Sequence, residues 1–383
     1  MRTLNHGIAV PGFTQQGQPL SQITGGAMAE MSGRFLASGR ELTVEEYEEL
    51  LISGKKRRVE GRIEQQKMSF FWLGHALGLP TSFNLSGMLR QIGMEGSAFL
   101  YNEPQVIEKS EGGTRIIISP KAELMFVQKR INRLLLHTFK SRANTFGYMG
   151  GTCYDVASRH ANYVSTLKFD VKDAFFQISF DELKTALTGF RPHRPGFSRS
   201  IAHWITQLCV YSPPPDIVLK RFRWMRSFLP QGAPTSPICF HLACEPLDGK
   251  LIRVAERVGG IVSRYADNYY FSMRTSRFSE KLERMIVCDA QKRGFPIHKV
   301  RTVKQGELCR ILGYNLNDGR ITNTRDFNRN LRGALHVLRT KLDRGLEWQD
   351  AYARVRGFMG VSVNLPDGLR QTYEYCESRI AGL

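Results

Sequence analysis

The sequence predicts an α+β protein, in which some segments pair as strands through tight turns and others form helices. Two stretches carry the strand signal. In residues 104–120 a Gly-Gly pair separates two apolar runs, and in residues 262–271 apolar and aromatic side chains flank a polar centre. In residues 121–139 apolar side chains recur instead at helical spacing, with Arg and Lys on the other face. Hairpins beside amphipathic helices are typical of the α+β class.

The composition favours a folded protein with a polyanionic partner. With 383 residues, of which 42% are hydrophobic, the chain is long enough for two or three domains. Lys and Arg number 54 against 35 Asp and Glu, which gives a net charge of +19. Nucleic acid is therefore the leading partner, and a membrane surface is its rival. No apolar run approaches the roughly 20 residues that span a bilayer, so we expect no membrane insertion.

The cysteines and the start of the chain favour a cytoplasmic location. The 7 cysteines are dispersed, without a Cys-x-x-Cys pair, which argues against a zinc module or a disulfide framework. The first residues of the chain lack the apolar core of a secretory signal. We therefore expect reduced thiols in a cytoplasm.

The first part of the chain is predicted to be a partly helical extension. Residues 1–40 are rich in Gly, Ser and Gln and are expected to form a loose arm. A capping box at Thr43 starts a predicted helix that reaches Ile52. The basic run 55–58 is either a solvated helix face or a patch that contacts phosphates. Residues 69–78 are apolar and aromatic, and they are predicted to pack as a helix.

The first predicted strand pair, 105–109 and 115–120, carries basic side chains. These side chains could reach a triphosphate. They are as readily explained as exposed positions on an edge hairpin.

The second hairpin contains Arg264–Ser272, and its tight turn is predicted to hold Asp267 and Asn268, since both residue types tolerate turn backbone. A carboxylate at a hairpin tip is exposed and rigidly displayed, which suits a metal ligand. The alternative is an ordinary Asp-Asn turn.

Another carboxylate, Asp170, lies at the end of an apolar strand that turns toward a helix starting near Ser179 or Asp181. Alone, an aspartate at a strand end is usually a helix cap or a turn residue. Together with Asp267 it forms a more specific pattern, because two carboxylates from separate strands can converge on a pair of divalent cations. Such a pair stabilises the attacking and the leaving oxygen of an in-line phosphoryl transfer. Magnesium suits this chemistry because it prefers carboxylate and phosphate oxygens.

Between the two aspartates lies the loop 229–237, followed by a predicted helix from Ile238 to Leu247. Its Pro and Gly residues impose an irregular backbone, and Gln231 can both donate and accept hydrogen bonds at its bend. A simple connection to the helix is the weaker explanation, since it rarely needs nine residues of this composition.

These three stretches together resemble the reverse transcriptases. Phe-Asp-Val-Lys-Asp-Ala-Phe-Phe (169–176) resembles their first catalytic motif, and Leu-Pro-Gln-Gly-Ala-Pro-Thr-Ser-Pro (229–237) resembles the loop that reads the incoming nucleotide. Tyr-Ala-Asp-Asn (265–268) resembles the Tyr-x-Asp-Asp motif. Order and spacing also fit, and the resemblance extends from about residue 100 to residue 345.

Flanking segments resemble further parts of the family: 115–120 the fingers motif, 294–301 the segment after the catalytic hairpin, and 311–314 the primer-grip turn. Segments 332–339 and 354–357 are similar to thumb helices of the bacterial branch that includes retrons, group II introns and defence-associated enzymes.

Within that branch the chain is similar to retron enzymes, with departures. Val156-Ala157-x-x-His160 resembles a retron-type Asn-Ala-x-x-His with Val in place of Asn, and the retron Val-Thr-Gly signature appears only as Ile311-Leu312-Gly313. Asn268 stands where the family carries a second Asp, so a charge is lost but an oxygen acceptor is kept.

The resemblance implies a role for each site residue. Asp170 and Asp267 hold two Mg²⁺ ions (or Mn²⁺), with the Val171 carbonyl as a further ligand and Asn268 in support. The nucleotide-binding residues it implies are Gln231 at the sugar and base, Arg115 and Lys109 at the triphosphate, and Phe175 as a steric gate. As a steric gate, the Phe175 ring excludes a nucleotide that carries a 2′-hydroxyl. The alternative is that Phe175 only packs in the hydrophobic core.

The implied architecture is a right-hand polymerase fold with fingers, a palm with an antiparallel sheet, a helical thumb and an N-terminal helical extension. The implied boundaries are the extension at 1–94, fingers at 95–165 and 185–228, palm at 166–184 and 229–324, and thumb at 325–383. No segment remains for RNase H, and no Cys/His cluster suggests an HNH endonuclease. A host-borne system is therefore expected in preference to a mobile element that needs its own endonuclease. The resemblance to the bacterial branch implies an antiphage or retron-like role.

Three functions are compatible with the sequence. The first is an RNA-directed DNA polymerase that uses dNTPs and an RNA template, for which a dedicated noncoding RNA is one candidate. The second is a polymerase-derived scaffold that binds RNA or a partner protein and has lost catalysis through Asn268. The third, an RNA-dependent RNA polymerase, is disfavoured by Phe175. Assembly as a homo-oligomer and assembly with a partner protein are both compatible with the sequence.

Overall fold

The computed structural model describes residues 72–108, 112–140, 144–189, 196–212, 227–276, 278–317 and 319–382. The chain divides into two units, Met1–Met88 and Leu89–Leu383. Of the first unit the structure describes residues 72–88, in which 72–76 are helical, within the helix predicted at 69–78. The helix predicted from Thr43 to Ile52 and the basic run 55–58 lie outside the described residues.

The helices are named in chain order as follows: α1 (Leu85–Glu95), α2 (Ala122–Thr138), α3 (Cys153–His160), α4 (Phe180–Thr188), α5 (Arg199–Cys209), α6 (Ser236–Arg257), α7 (Glu280–Gln291), α8 (Arg325–Asp343), α9 (Gln349–Met359) and α10 (Asp367–Ala381). One-turn 3₁₀ helices lie at Ala98–Leu100 and Ala174–Gln177.

The strands are β1 (Gln105–Glu108), β2 (Thr114–Ile117), β3 (Thr145–Phe146), β4 (Ser165–Val171), β5 (Ile261–Tyr265), β6 (Asn268–Met273), β7 (Ile297–Val303), β8 (Cys309–Ile311), β9 (Tyr314–Asn317) and β10 (Arg320–Asn323). They form sheets with the strand orders β1-β2, β10-β9-β8 and β3-β5-β6-β4-β7. Pairing is antiparallel except between β3 and β5. The α+β prediction is therefore confirmed.

The predicted helix and hairpin in the first half of the chain are both present. Helix α2 matches the helical spacing of residues 121–139. Strands β1 and β2 form the predicted hairpin, and Gly112 and Gly113 both have positive φ (86° and 88°), which glycine adopts at little cost.

Two helices begin at capping boxes, in which a side-chain hydroxyl and a carboxylate three residues later satisfy backbone groups at the helix start. Thr152 and Asp155 cap α3, and Ser179 and Glu182 cap α4. The second of these starts at one of the two positions predicted from the sequence.

The five-stranded sheet contributes to the core of the second unit, and on β6 every residue from Tyr269 to Met273 is buried, so both faces of that strand are covered. On β4, Leu167, Phe169 and Val171 alternate with more exposed residues and are 0–2% exposed. Phe169 stacks on Tyr269 of the neighbouring strand β6, with ring centroids 4.9 Å apart. Cross-strand aromatic packing of this kind fixes the register of β4 against β6.

Helices α8, α9 and α10 share one hydrophobic cluster. On α8, capped by Thr324, the buried residues recur at helical spacing: Leu331, Ala334, Leu335, Leu338 and Leu342. Val355, Leu369 and Cys376 meet them from the other two helices. No helix within the described ranges is long and apolar enough to cross a membrane.

A buried histidine should make the stability of the fold depend on pH. His160 is 1% exposed, its Nδ1 lies 2.6 Å from Ser272 Oγ, and burial lowers its pKa to about 3, with the charges of Arg159 and Lys168 contributing. Since the unfolded chain binds the proton at about pH 6.5, the free energy of unfolding should fall as pH drops from about 6.5 toward 3.

Between about pH 7 and about pH 5 this histidine alone should remove about 2 kcal/mol, measurable by urea unfolding. A His160→Gln variant, which carries no titrating ring, should show a flatter pH dependence than the wild type. Equal slopes in the two proteins would show that His160 does not titrate as its burial requires.

Candidate active site

The pairing of β4 with β6 brings the two predicted carboxylates to the same end of the sheet. Asp170 lies directly opposite Asn268, next to Asp267, and the backbone N–H of Val171 donates to the Asp267 carbonyl at 3.1 Å. Directly opposed residues on antiparallel strands have Cα atoms about 5 Å apart. Asp170, Asp267 and Asn268 are therefore neighbours, as the sequence predicted.

The tight turn lies one position earlier than predicted. Its two central residues are Ala266 and Asp267, because Asn268 is already the first residue of β6 and pairs with Tyr265. The prediction that the turn holds Asp267 and Asn268 was therefore wrong by one residue. A shift in register would move Tyr269 to the opposite face of the sheet, so the core sets the turn position.

Ala266 adopts a left-handed backbone conformation, with φ of 55°. Positive φ at the first central position only is the pattern of a type II′ turn, which glycine usually supplies. An alanine there costs about 1–2 kcal/mol, so the surrounding structure must hold the turn in place.

The Asp170 carboxylate has an unused acceptor. Its side chain is 24% exposed, yet Oδ1 is buried and has no hydrogen-bond partner among the described residues. Oδ2 lies 3.6 Å from Nδ1 of His298 on β7. A buried carboxylate oxygen without a donor is costly unless something positive binds it, and a divalent cation would satisfy it.

Asn268 acts on the other carboxylate, since its Nδ2 donates to Oδ1 of Asp267 at 3.1 Å. This hydrogen bond orients the Asp267 side chain. It also occupies one oxygen that an aspartate at position 268 would leave free.

The candidate metal ligands are two carboxylates rather than a complete cage. Within the described ranges no group of three or more His, Cys, Asp or Glu side chains could hold a metal ion. Magnesium is usually bound by one or two carboxylates together with substrate phosphates and water, so Asp170 and Asp267 fit this ion.

Phe175 lies close to the site on an exposed edge of the core. It is partly buried in the 3₁₀ helix after β4, whereas its neighbour Phe176 is buried. Its ring lies 5.6 Å from the ring of Phe240 on α6 and 6.1 Å from that of Tyr148. This partly open position fits a side chain that faces a ligand better than one that only fills the core.

The loop that carries Gln231 is joined to the strand that carries Arg115. The Gln231 carbonyl accepts a hydrogen bond of 2.7 Å from the Ile118 N–H, just beyond β2. Gly232 has φ of 117°, and a Cβ there would lie 2.9 Å from Cγ2 of Ile117. The close approach therefore requires glycine.

Of the two predicted triphosphate ligands, only one can be placed. Arg115 is exposed on β2, opposite Ile107. Lys109 lies outside the described residues.

Sequence reasoning did not single out Tyr148, which lies in a tight turn between Gly147 and Gly150. Burial, and then the negative charge of Asp267, raise the pKa of Tyr148 to about 12. The turn packs against the catalytic hairpin, since a Cβ at Gly147 would lie 3.2 Å from the Ala266 nitrogen. The two glycines, spaced for a turn, were the signal that could have marked this tyrosine.

Residues 107–316 match the model of the family described as reverse transcriptase (RNA-dependent DNA polymerase). This match covers more than half of the chain.

Several retron reverse transcriptases are similar to this chain. The retron Mx162 enzyme of Myxococcus xanthus is 29% identical over 255 residues, covering 60% of this chain and 51% of its own length. The Mx65 enzyme of the same organism is 27% identical over 237 residues, covering 60% and 54%. The Ec86 enzyme of Escherichia coli is 24% identical over 273 residues, covering 68% and 79%. The chain thus spans about half the length of the two Myxococcus relatives.

Among solved structures, telomerases from two Candida species are similar. The Candida albicans enzyme in complex with a TWJ fragment of telomeric RNA has a TM-score of 0.42 and 13% identity, covering 78% of this chain and 58% of that one. The corresponding Candida tropicalis complex has a TM-score of 0.43 and 13% identity, covering 73% and 54%.

Proposed function

This chain belongs to the reverse transcriptase family, and we propose that it is an RNA-directed DNA polymerase that joins deoxynucleotides on an RNA template. The observation that carries this proposal is the meeting of Asp170 and Asp267 at the end of adjacent strands, where the Oδ1 atom of Asp170 has no donor in the part of the chain that the structure describes. Nucleotidyl transfer needs two carboxylates at one place, and few other reactions need this pair beside a nucleotide-reading loop.

The proposed metal ligands are Asp170, Asp267 and the Val171 carbonyl. Two Mg²⁺ ions held there, or Mn²⁺, would stabilise the charge on the attacking 3′-oxygen and on the leaving pyrophosphate. Asn268 would keep the Asp267 carboxylate oriented through its 3.1 Å hydrogen bond. Because position 268 is neutral, we expect metal binding that is weaker than with a second aspartate.

The proposed nucleotide pocket lies between the loop and the aromatic side chains. Gln231 would contact the sugar and base, and Arg115, with Lys109, would hold the triphosphate through charge-assisted hydrogen bonds. Phe175 would lie under the sugar, where its ring leaves no room for a 2′-hydroxyl. Its partly open position beside Tyr148 and Phe240 supports this role.

The fold is the right-hand polymerase fold of this family, and we propose its division as follows. The N-terminal extension covers 1–94, the fingers 95–165 and 185–228, the palm 166–184 and 229–324, and the thumb 325–383. The α8–α10 bundle with its own hydrophobic cluster supports the last boundary.

One face of α8 is suited to hold the template–primer backbone. Its exposed arginines are spaced three, four or seven residues apart, so they line one side of the helix. They are Arg325, Arg329, Arg332 and Arg339, of which Arg329 pairs with Asp326 at 2.9 Å and Arg339 with Asp343 at 3.6 Å. Together with the net charge of +19, this stripe supports binding to a nucleic-acid backbone that weakens as salt rises.

The similarity to retron enzymes supports a retron-like or antiphage role in a bacterium, with a dedicated noncoding RNA as the template. Sequencing the RNA that copurifies with the protein would test this part. A single abundant structured RNA is expected, and a random sample of cellular RNA would contradict it.

A second candidate function is a scaffold without catalysis, and Asn268 is the observation that favours it. The Asn268 amide already donates to Asp267 Oδ1, an oxygen that a metal would otherwise use.

Incubation of the full chain and its copurified RNA with Mg²⁺ and labelled nucleotides should separate these functions. We expect labelled DNA from dNTPs, and none from an Asp267→Ala variant, because that variant lacks a metal ligand. Tight RNA binding without product from either nucleotide pool would support the scaffold. Product from NTPs would indicate an RNA polymerase.

A further inference from the structure

A fully buried arginine connects the catalytic turn to helix α6. Arg264 lies on β5, and its guanidinium and the Asp248 carboxylate are 1% and 2% exposed. Nε donates to Asp248 Oδ1 at 2.9 Å, and Nη2 donates to Oδ2 at 2.6 Å. This two-point contact fixes the plane of the guanidinium, which leaves Nη1 aimed in one direction.

That remaining nitrogen reaches the turn itself. Nη1 of Arg264 donates to the carbonyl oxygen of Ala266 at 3.0 Å. On its other side, the N–H of Ala266 donates to the Phe146 carbonyl at 3.3 Å. The backbone N–H and carbonyl of Ala266 are therefore both hydrogen-bonded, which stabilises a left-handed conformation that is unfavourable for alanine.

Asp267 follows directly, so its orientation depends on these contacts. The peptide plane before Asp267 is held by Arg264 through the Ala266 carbonyl. The plane after it is held by the Val171 N–H, which donates to the Asp267 carbonyl at 3.1 Å. With both planes fixed, the side chain of Asp267 leaves the backbone in a set direction.

Asp248, the partner of Arg264 in the ion pair, lies on α6, and this helix begins directly after the loop that carries Gln231. Asp248 accepts a further hydrogen bond of 2.8 Å from the hydroxyl of Tyr269 on β6. Nη2 of Arg264 also donates to the His241 carbonyl at 3.3 Å. The ion pair therefore joins α6 to β5, and the hydrogen bond from Tyr269 joins the same carboxylate to β6.

We propose that Arg264 is a positioning residue that sets the Asp267 carboxylate for metal binding by holding the Ala266 carbonyl. The inference rests on the proposed function of the site. Arg264 does not touch metal or nucleotide and acts only through the turn. A buried ion pair seldom stabilises a fold more than apolar side chains of the same size would, so its presence directly behind the turn favours a geometric role.

The test measures metal binding by the full-length protein without turnover. Binding of Mn²⁺ is followed through the loss of the free-ion signal in electron paramagnetic resonance, and the binding that disappears in Asp267→Ala is assigned to the site. In Arg264→Lys, a single ammonium group cannot hold both Asp248 oxygens and the Ala266 carbonyl. Its affinity for Mn²⁺ at the site should fall roughly 10- to 100-fold.

Tyr269→Phe is the matched control. It removes a hydrogen bond to the same Asp248 carboxylate but keeps the ring against Phe169 and the contact from Arg264 to Ala266. Its melting temperature should fall, while its Mn²⁺ affinity stays that of the wild type. An equal loss of affinity in Tyr269→Phe would show that only general stability matters, and it would overturn the inference.

A second variant keeps the test decisive if Arg264→Lys fails to fold. Arg264→Met combined with Asp248→Leu removes both charges together, so no buried charge is left unpaired. This double variant should fold and should bind Mn²⁺ as weakly as Arg264→Lys. If it bound Mn²⁺ like the wild type, Arg264 would not position Asp267, and the proposed function would stand. If the wild type itself bound no Mn²⁺ at the site and made no DNA, both proposals would fall.

Discussion

Replacing Asp170 with asparagine should lower the rate of DNA synthesis by about 10³-fold and leave the fold intact. Asparagine has the shape of aspartate, so packing at the end of β4 is kept, while the charge that would hold the cation is lost. The buried Oδ1 has no donor among the described residues, so no hydrogen bond is broken there. Single-nucleotide primer extension under saturating dNTP measures the rate, and thermal unfolding checks the fold.

Asp173→Asn is the matched control, because it removes a carboxylate only three residues away. Asp173 has φ of 51°, a left-handed conformation that asparagine also tolerates. Its rate should remain that of the wild type. If Asp170→Asn kept more than about a tenth of the activity, the pair of carboxylates would not be the metal site.

Replacing Phe175 with alanine should lower the preference for dNTPs over NTPs by roughly 10²-fold. The ring is proposed to fill the space of the 2′-hydroxyl, and alanine would open that space to a ribonucleotide. The measurement is the ratio of kcat/KM for dCTP and CTP on the same primer and RNA template. The change should come mainly from faster use of CTP.

Two variants separate a steric gate from a core side chain. Phe175→Tyr keeps the ring and should keep the preference for dNTPs. Phe176→Leu alters a buried neighbour whose ring lies 5.1 Å from that of Phe228. It should lower stability without changing the preference. A Phe175→Ala protein that is less stable but equally selective would mean that Phe175 belongs to the core.

A good part of the fold follows from local patterns. The span of α2 and the β1–β2 hairpin were predicted from apolar spacing and a Gly-Gly pair. The start of α4 was predicted near Ser179 or Asp181, and its N-cap is Ser179. Helix α6 was predicted from Ile238 to Leu247, a span that already includes Pro246, yet it covers Ser236–Arg257. Burial of Leu251 and Ala255 stabilises the part beyond the predicted end, and local propensity contains no information about that burial.

The candidate site, like the fold, was predicted from the sequence only in part. The sequence predicted that Asp170 and Asp267 share one place, and the pairing of β4 with β6 agrees. It misplaced the turn by one residue, because an Asp-Asn pair is a favourable turn locally whereas the register of β6 is set by what Tyr269 packs against. Tyr148 and Asp248 were not singled out, since each gains its position from segments distant in the chain.

The sequence by itself determined the chemical groups of this protein and their order. Two aspartates, a glutamine loop and an aromatic residue are recognisable because each stands in a short pattern of a few residues. Only the tertiary structure decided how these groups are held: the opposition of Asp170 to Asn268, the left-handed Ala266, and the buried pair of Arg264 with Asp248. The physical reason is that a local pattern is set by neighbouring residues, whereas a buried contact depends on how separate strands and helices pack together.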